Sequence, residues 1–276
     1  MNPHALHPAS PKALLLTLWF QKNLIFALTK REVQGRYKGS LFGIFWSVLT
    51  PLIMVAVFTF VFGEIFQSKW AGAKSANHLD FAAALFSGLL VYNLFAECIS
   101  KAPHLITSNP NYVKKIVFPL EVLSIVTVLA ALFHFLVAYA VVIVLVLFSG
   151  WELSWTVLYT PVIIFPMLML VTGLTWLFSA LGVFLRDLGQ IISPALTALM
   201  FLSPVFYPLS SVSPKLQWIY HLNPITFIVE DLRAALLHNQ RPDAKEWLIY
   251  SGICTVIMAV GFLFFQRTRK GFSDVI

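Results

Sequence analysis

Residues 121–148 read EVLSIVTVLAALFHFLVAYAVVIVLVLF, and after Glu121 no Asp, Glu, Lys or Arg follows before Phe148. A helix crosses the roughly 30 Å hydrocarbon core of a bilayer with roughly 20 apolar residues. This run is long for one helix and too short for two helices with a turn. Its upstream residues, from Ile116 to about Glu121, therefore read as interfacial, and 121–148 as one long span.

Working outward, five more stretches have the length and apolarity to span: 41–66, 81–99, 155–185, 190–207 and 247–265. The stretch 155–185 holds Pro161, Pro166 and Gly173, so kinks are expected. The stretch 190–207 is short and contains Pro194 and Pro204, a place where helix ends can face a cavity. Composition agrees: 59% of the chain is hydrophobic and 11% charged, against about 25% charged in soluble domains. Its 25 Phe and 8 Trp suit lipid contact and membrane interfaces. The expected fold is all-α: one integral membrane domain over 1–276 with six transmembrane helices and no internal repeat.

The formal charge of +7 could suggest nucleic acid in a soluble protein. Here the basic residues sit at segment ends, which reads as topology and anionic headgroups instead. Six spans put both termini on one side. That side carries thirteen Lys/Arg, among them Lys30, Arg31, Arg36, Lys114, Lys115 and Arg269, and the other side six. The positive-inside rule places the termini in the cytoplasm. Residues 1–40 interleave Leu14, Leu15, Leu18, Trp19, Leu24, Ile25 and Leu28 with basic residues. This suits a helix lying in the cytoplasmic interface, with a soluble tail as the alternative. No small-residue cleavage site follows the apolar run at 13–20, so the first strong span is expected to remain in the mature protein. On the far side, 225–237 reads as a short helix against the bundle. Cys98 and Cys254 lie in apolar stretches and give neither metal spacing nor a disulfide framework.

Several chemistries are missing from the sequence. There is no G-x-x-x-x-G-K-[ST] phosphate loop; the run at 35–40, GRYKGS, lacks the spacing. No H-E-x-x-H, G-x-S-x-G or Cys/His cluster occurs, so neither ATP hydrolysis nor a catalytic centre is expected. Glu64, Glu97 and Glu121 fall near span ends, leaving His134 as the ionisable group near mid-membrane. Ion-driven transport uses several such groups, so a secondary transporter is disfavoured, and His134 reads as a neutral packing residue. What remains is a bundle without an engine, which implies a partner.

The run RYKGSLFGIFW at 36–46, continuing to Pro51, resembles the opening signature of polysaccharide-export permeases of the type-2 ABC exporter class. That group handles O-antigen, capsule and teichoic acid. Three further stretches match it in order: NPNYVKKIVFP at 109–119 with Glu121; Arg186-Asp187 followed by Ser203-Pro204 and Tyr207-Pro208; and Asn223-Pro224 with Glu230 and Arg233. The resemblance implies a homodimeric permease of the bacterial inner membrane, bound to two copies of a cytoplasmic ATPase that holds the ATP and Mg. It implies no cofactor in this chain. It also implies export of polyprenyl-diphosphate-linked O-antigen polysaccharide from cytoplasm to periplasm, with capsular polysaccharide or teichoic acid as alternatives. A membrane enzyme acting on polyprenyl-linked sugars is the competing class. It would need acidic or His groups arranged at an interface, and Glu32, Glu97, Glu121, Asp187 and Asp274 form no motif.

Individual residues carry two readings each. Arg31, Arg36 and Lys38 could hold a lipid diphosphate through guanidinium forks and an ammonium, or simply set topology. Tyr37 and Trp46 could stack on sugar rings or belong to the interfacial belt. Phe58 and Phe62, with Phe60 and Phe66, could line a sugar path or face lipid. Gly39 and Gly43 read as a smooth helix face for close packing. The resemblance makes the loop with Asn109, Tyr112, Lys114 and Lys115 an ATPase-coupling element; a solvated basic turn is the alternative. Arg186 and Asp187 read first as a local ion pair or helix stop, second as an ATPase contact. Glu230 and Arg233 are spaced i, i+3 and read as surface stabilisation or as part of a periplasmic gate.

Overall fold

The computed structural model describes residues 11–66, 70, 78–114, 118–149 and 151–276. Lys115 lies outside the described residues. All regular structure among them is helical. On one side of the bundle α1 (Pro11–Phe20) and α2 (Lys22–Tyr37) precede a 3-10 turn at Gly43–Phe45. The first span follows as α3 (Trp46–Phe58), which loosens into a π-helical stretch at Thr59–Ile65. Next come α4 (His78–Lys101), the short α5 (Pro110–Lys114), α6 (Glu121–Phe148) and α7 (Thr160–Phe184). The chain ends through α8 (Leu188–Phe201), α9 (Gln217–Leu222), α10 (Thr226–Leu237), α11 (Ala244–Thr268) and α12 (Phe272–Val275).

Among the described residues, five helical segments are long and apolar enough to cross a bilayer: Gly43–Ile65, Leu79–His104, Glu121–Phe148, Trp155–Phe184 and Ala244–Val275. The segment expected as a sixth span is realised as α8, whose 14 residues extend only about 21 Å. The helix stops at Phe201 because Pro204 disfavours the helical conformation at Ser203. The Ser203 hydroxyl instead donates to the Leu199 carbonyl at 2.6 Å. From Leu202 to Tyr207 the chain continues in turns and bends without a regular helix.

α4 is the central element. It is buried along most of its length against α6, α7, α8 and α10. The first span is the opposite case: Leu52, Ile53, Met54, Val57, Phe60, Ile65 and Phe66 are all exposed. The tightest helix pair is α7 with α11. A Cβ on Gly173 would lie 2.5 Å from the Cα of Met258, and one on Gly261 would overlap the Gly173 carbonyl. Small residues let the two backbones meet. Asp243 caps α11 by accepting from the backbone N–H groups of Lys245 and Glu246 at 2.8 and 3.0 Å.

The expected packing role of Gly39 and Gly43 is not what this chain shows. Nothing lies within 4 Å of a Cβ added at either position. Both have positive φ, 84° and 52°, so glycine serves here to turn α2 into α3 without a left-handed penalty.

At the end of the bundle that holds α2 and α12, a second apolar cluster joins Ile25, Leu28, Ile106, Phe118, Trp176, Phe265 and Phe272. Arg269 pins this end by donating to Glu121 at 2.7 Å and to the Phe118 carbonyl at 2.6 Å. The 202–243 segment closes the other end.

Candidate functional site

A cavity of about 730 Å³ runs between α3, α4, α6 and α8, from Arg36 and Tyr37 at the α2 end to Phe58 and Phe206 at the other. Its floor is one stripe of α4: Phe86, Leu89, Asn93, Glu97 and Ser100 recur every three or four residues, as one helical face requires. On an otherwise buried helix, Asn93 and Ser100 are exposed into this space. Trp46, Ser47, Thr50 and Met54 of α3 form the facing wall.

The mouth at the α2 end is ionic. Glu97 is the node. It accepts from Arg36 Nη1 at 2.9 Å and from Lys101 Nζ at 3.2 Å. Its second oxygen lies 2.9 Å from His134 Nδ1. An ionised carboxylate can only accept, so His134 places its Nδ1 proton toward Glu97. Lys101 also reaches Glu32 at 3.1 Å. Tyr37 stands edge-on to the His134 ring at 6.1 Å. The Arg36 side chain is 51% exposed, and an ion pair this open contributes about 1 kcal/mol or less. The mouth can rearrange without unfolding the bundle.

The far half is aromatic. Phe58 contacts Phe86 and Phe206 with centroids 5.9 and 6.4 Å apart, and Phe62 stacks on Phe81 and Phe206 at 5.3 and 6.2 Å. Rings offer apolar faces to a passing molecule without strong hydrogen bonds. Phe60 and Phe66 point outward instead, so the Phe cluster of the first span divides between the interior and the exposed face.

Beyond the aromatics, Arg233 ties the far end together. It is 2% exposed. Its Nε donates to the Ala84 carbonyl at 3.2 Å, Nη2 to the Pro204 carbonyl at 2.9 Å, and Nη1 to Glu230 at 2.7 Å. Its guanidinium lies 4.5 Å from the centre of the Trp70 ring. Burial lowers its pKa to about 10, so it stays charged at neutral pH. The reading of Glu230 and Arg233 as surface stabilisation is therefore corrected: the pair is an anchor between α10, α4 and the 202–208 strap.

Next to it, Asp231 has an unpartnered Oδ2. Burial, with the carboxylates of Glu246, Asp243 and Glu230, pushes its pKa from 3.8 up to about 7. A raised carboxylate pKa means that the folded state holds the proton more tightly. Its contribution is therefore full at pH below about 4 and is lost as pH rises through about 7. Asp231→Asn is expected to raise the melting temperature relative to the parent at pH 8 and to leave little difference at pH 4. A difference that does not vary with pH would contradict this.

The remaining expected residues fall into place as follows. Arg36, Tyr37, Trp46 and Phe58 line the cavity, and Phe62 backs it. Arg31 does not: it donates to the Tyr112 hydroxyl at 3.1 Å. Lys38 is exposed beside the mouth without lining it. Tyr112 turns inward to stack on Phe118 at 4.4 Å, so the α5 loop presents Lys114 and not the tyrosine ring. Asn109 holds the loop's turn by donating to the Leu105 carbonyl at 2.9 Å. Arg186 and Asp187 sit exposed in the break between α7 and α8, which fits a helix stop.

Glu97 and His134 were not among the expected site residues, because each was read alone. Their signal was present: a carboxylate and an imidazole kept within apolar spans, with Glu97 and Lys101 at i, i+4.

Comparison with known proteins identifies the architecture. A model of the ABC-2 type transporter family matches residues 23–237, which contain the mouth, the cavity and Arg233. The chain belongs to the ABC-2 type transporter family. Transporters of this class work with a partner ATPase, in keeping with a bundle that carries no phosphate loop. The transporter is 26% identical over 265 residues to the O-antigen export system permease protein RfbA of Myxococcus xanthus, covering 95% of this chain and 99% of that one. The RfbA permease of Klebsiella pneumoniae is 25% identical, covering 92% and 95%. The polysialic acid transport protein KpsM of Escherichia coli is 24% identical, covering 91% and 95%. All three names describe export or transport rather than an enzyme, as the sequence led us to expect.

Proposed function

We propose that this transporter is the channel-forming subunit of an exporter that moves polyprenyl-diphosphate-linked O-antigen polysaccharide from cytoplasm to periplasm across the bacterial inner membrane. The observation that carries the proposal is the cavity itself. Arg36 stands at its α2 end and aromatic rings gather in its far half, which suits a molecule with a diphosphate head and a sugar chain. The names of the RfbA relatives support O-antigen as cargo. KpsM supports a capsular polymer as the second reading.

In this account the α2 end faces the cytoplasm, in line with the charge asymmetry. Two copies pair across the bare first span, whose exposed apolar face and cavity wall a partner would cover. Two cytoplasmic ATPase subunits dock on the loop with Lys114 and on the 185–188 turn. ATP binding there pushes the bundle through α5, whose Tyr112 is tied to Arg31 on α2. Arg36, with Tyr37 beside it, receives the diphosphate through its planar donor fork. The far end opens by releasing α10 and the 202–208 strap. No cofactor is needed in this chain.

Arg36→Gln removes the fork and keeps the length. It is expected to reduce surface polysaccharide about tenfold or more, the scale of a lost charge-assisted contact, while the protein still reaches the membrane and still co-purifies with its ATPase. Normal surface polymer in this variant would contradict the diphosphate entrance. A tagged parent that never co-purifies with an ATPase in mild detergent would contradict the exporter.

A further inference from the structure

Glu97 stands where an anion-binding mouth has no evident use for it. A carboxylate between Arg36 and Lys101 occupies the donors that a diphosphate would take. Yet it is held there from three helices: Arg36 from α2, Lys101 from α4 itself and His134 from α6. The exposures are graded. The Arg36 and Lys101 side chains are 51% and 36% exposed, Glu97 and His134 only 15% and 16%. The two cations are therefore more accessible to an arriving anion than the carboxylate that joins them.

We propose that Glu97 is an internal anion. It fills the Arg36–Lys101 seat while the mouth is empty, and the incoming diphosphate displaces it. His134 remains as its partner after the exchange, since Nδ1 already lies 2.9 and 3.1 Å from the two carboxylate oxygens. Glu32, on Lys101 at 3.1 Å, limits how much positive charge the exchange frees. Two functions follow. While the mouth is empty, the carboxylate keeps Arg36 in the geometry its cargo needs. The returning carboxylate competes with bound diphosphate, so the headgroup is held weakly enough to leave. This inference rests on the diphosphate reading above and adds that affinity is deliberately restrained.

The test uses the full chain purified in detergent, titrated with farnesyl diphosphate and, separately, with inorganic diphosphate. Glu97→Gln keeps the side-chain shape and removes the competing charge. It is expected to bind both probes about tenfold more tightly than the parent. A damaged fold would not raise affinity. Glu97→Asp draws the carboxylate back by one methylene and is expected to fall between the two, about threefold tighter; it serves if Glu97→Gln does not survive purification. Arg36→Gln is expected to weaken binding with or without the change at Glu97. Unchanged or weaker binding in both Glu97 variants, with Arg36→Gln still harmful, overturns the internal anion and leaves the entrance standing. Binding that ignores Arg36 overturns both. Binding of inorganic but not farnesyl diphosphate overturns the lipid headgroup as ligand.

Discussion

Arg233→Leu is expected to cost about 3 kcal/mol or more, because two carbonyls lose their buried donor at about 1–3 kcal/mol each. Native domains are stable by about 5–15 kcal/mol, so a loss of this size is a large fraction of the whole and should lower accumulation. The loss comes from the groups left behind. Leucine fills part of the volume but leaves the carbonyls of Ala84 and Pro204 without their donor and the Glu230 carboxylate without its cation. Burial already pushes the Glu230 pKa up, and loss of the neighbouring cation pushes it further the same way. Gly88 shows how closely the site is fitted: a Cβ there would lie 2.8 Å from Arg233 Nη2. Arg233→Lys keeps the charge but cannot reach three segments at once, and should recover only part of the stability. Thermal unfolding in detergent, read beside the parent, measures this. A melting temperature for Arg233→Leu within about 2 °C of the parent, well under the shift such a loss implies, would show that the anchor contributes little.

Gly261→Leu is the second large effect. A Cβ at 261 overlaps the Gly173 carbonyl, and a side chain at 173 would run into the Met258 backbone. Neither neighbour is a flexible side chain that can swing away, so the two helix axes must separate. Overpacking of this kind costs about 1–3 kcal/mol and more where backbone must move. Trp176 and Phe262, whose rings sit 5.0 Å apart on α7 and α11 one turn away, would lose contact as well. The same helix supplies its own control. Nothing lies within 4 Å of a Cβ at Gly252, so Gly252→Leu is expected to shift the melting temperature by no more than about 1 °C. Equal melting temperatures for the two variants would contradict the packing account.

The spans were legible because hydropathy is additive along the chain, and 121–148 could be nothing but a membrane helix. The limits of α8 were not. Residues 202–207 are as apolar as the helix before them, and only the conformational restraint at Ser203 separates helix from strap. Gly39 and Gly43 share the spacing of a packing face, yet their positive φ values make them turn residues; periodicity cannot tell one use of glycine from the other. Glu230 and Arg233 were visible as a pair at i, i+3. The carbonyls of Ala84 and Pro204 that give Arg233 its weight arrive from distant segments. The mouth shows the same limit most clearly. Arg36, Glu97 and His134 are each unremarkable in sequence, and they become a site only when α2, α4 and α6 bring them within 3.2 Å of one another.

Deleting the gene and locating the polysaccharide tests the central claim most directly, because an exporter and an enzyme leave different remains. If the chain is the channel and its engine is a separate ATPase, the polymer is still built and collects, lipid-linked, on the cytoplasmic side, while the cell surface lacks it. Normal surface display would contradict the transport role. A cell in which the polymer is never made would show that this bundle takes part in synthesis instead.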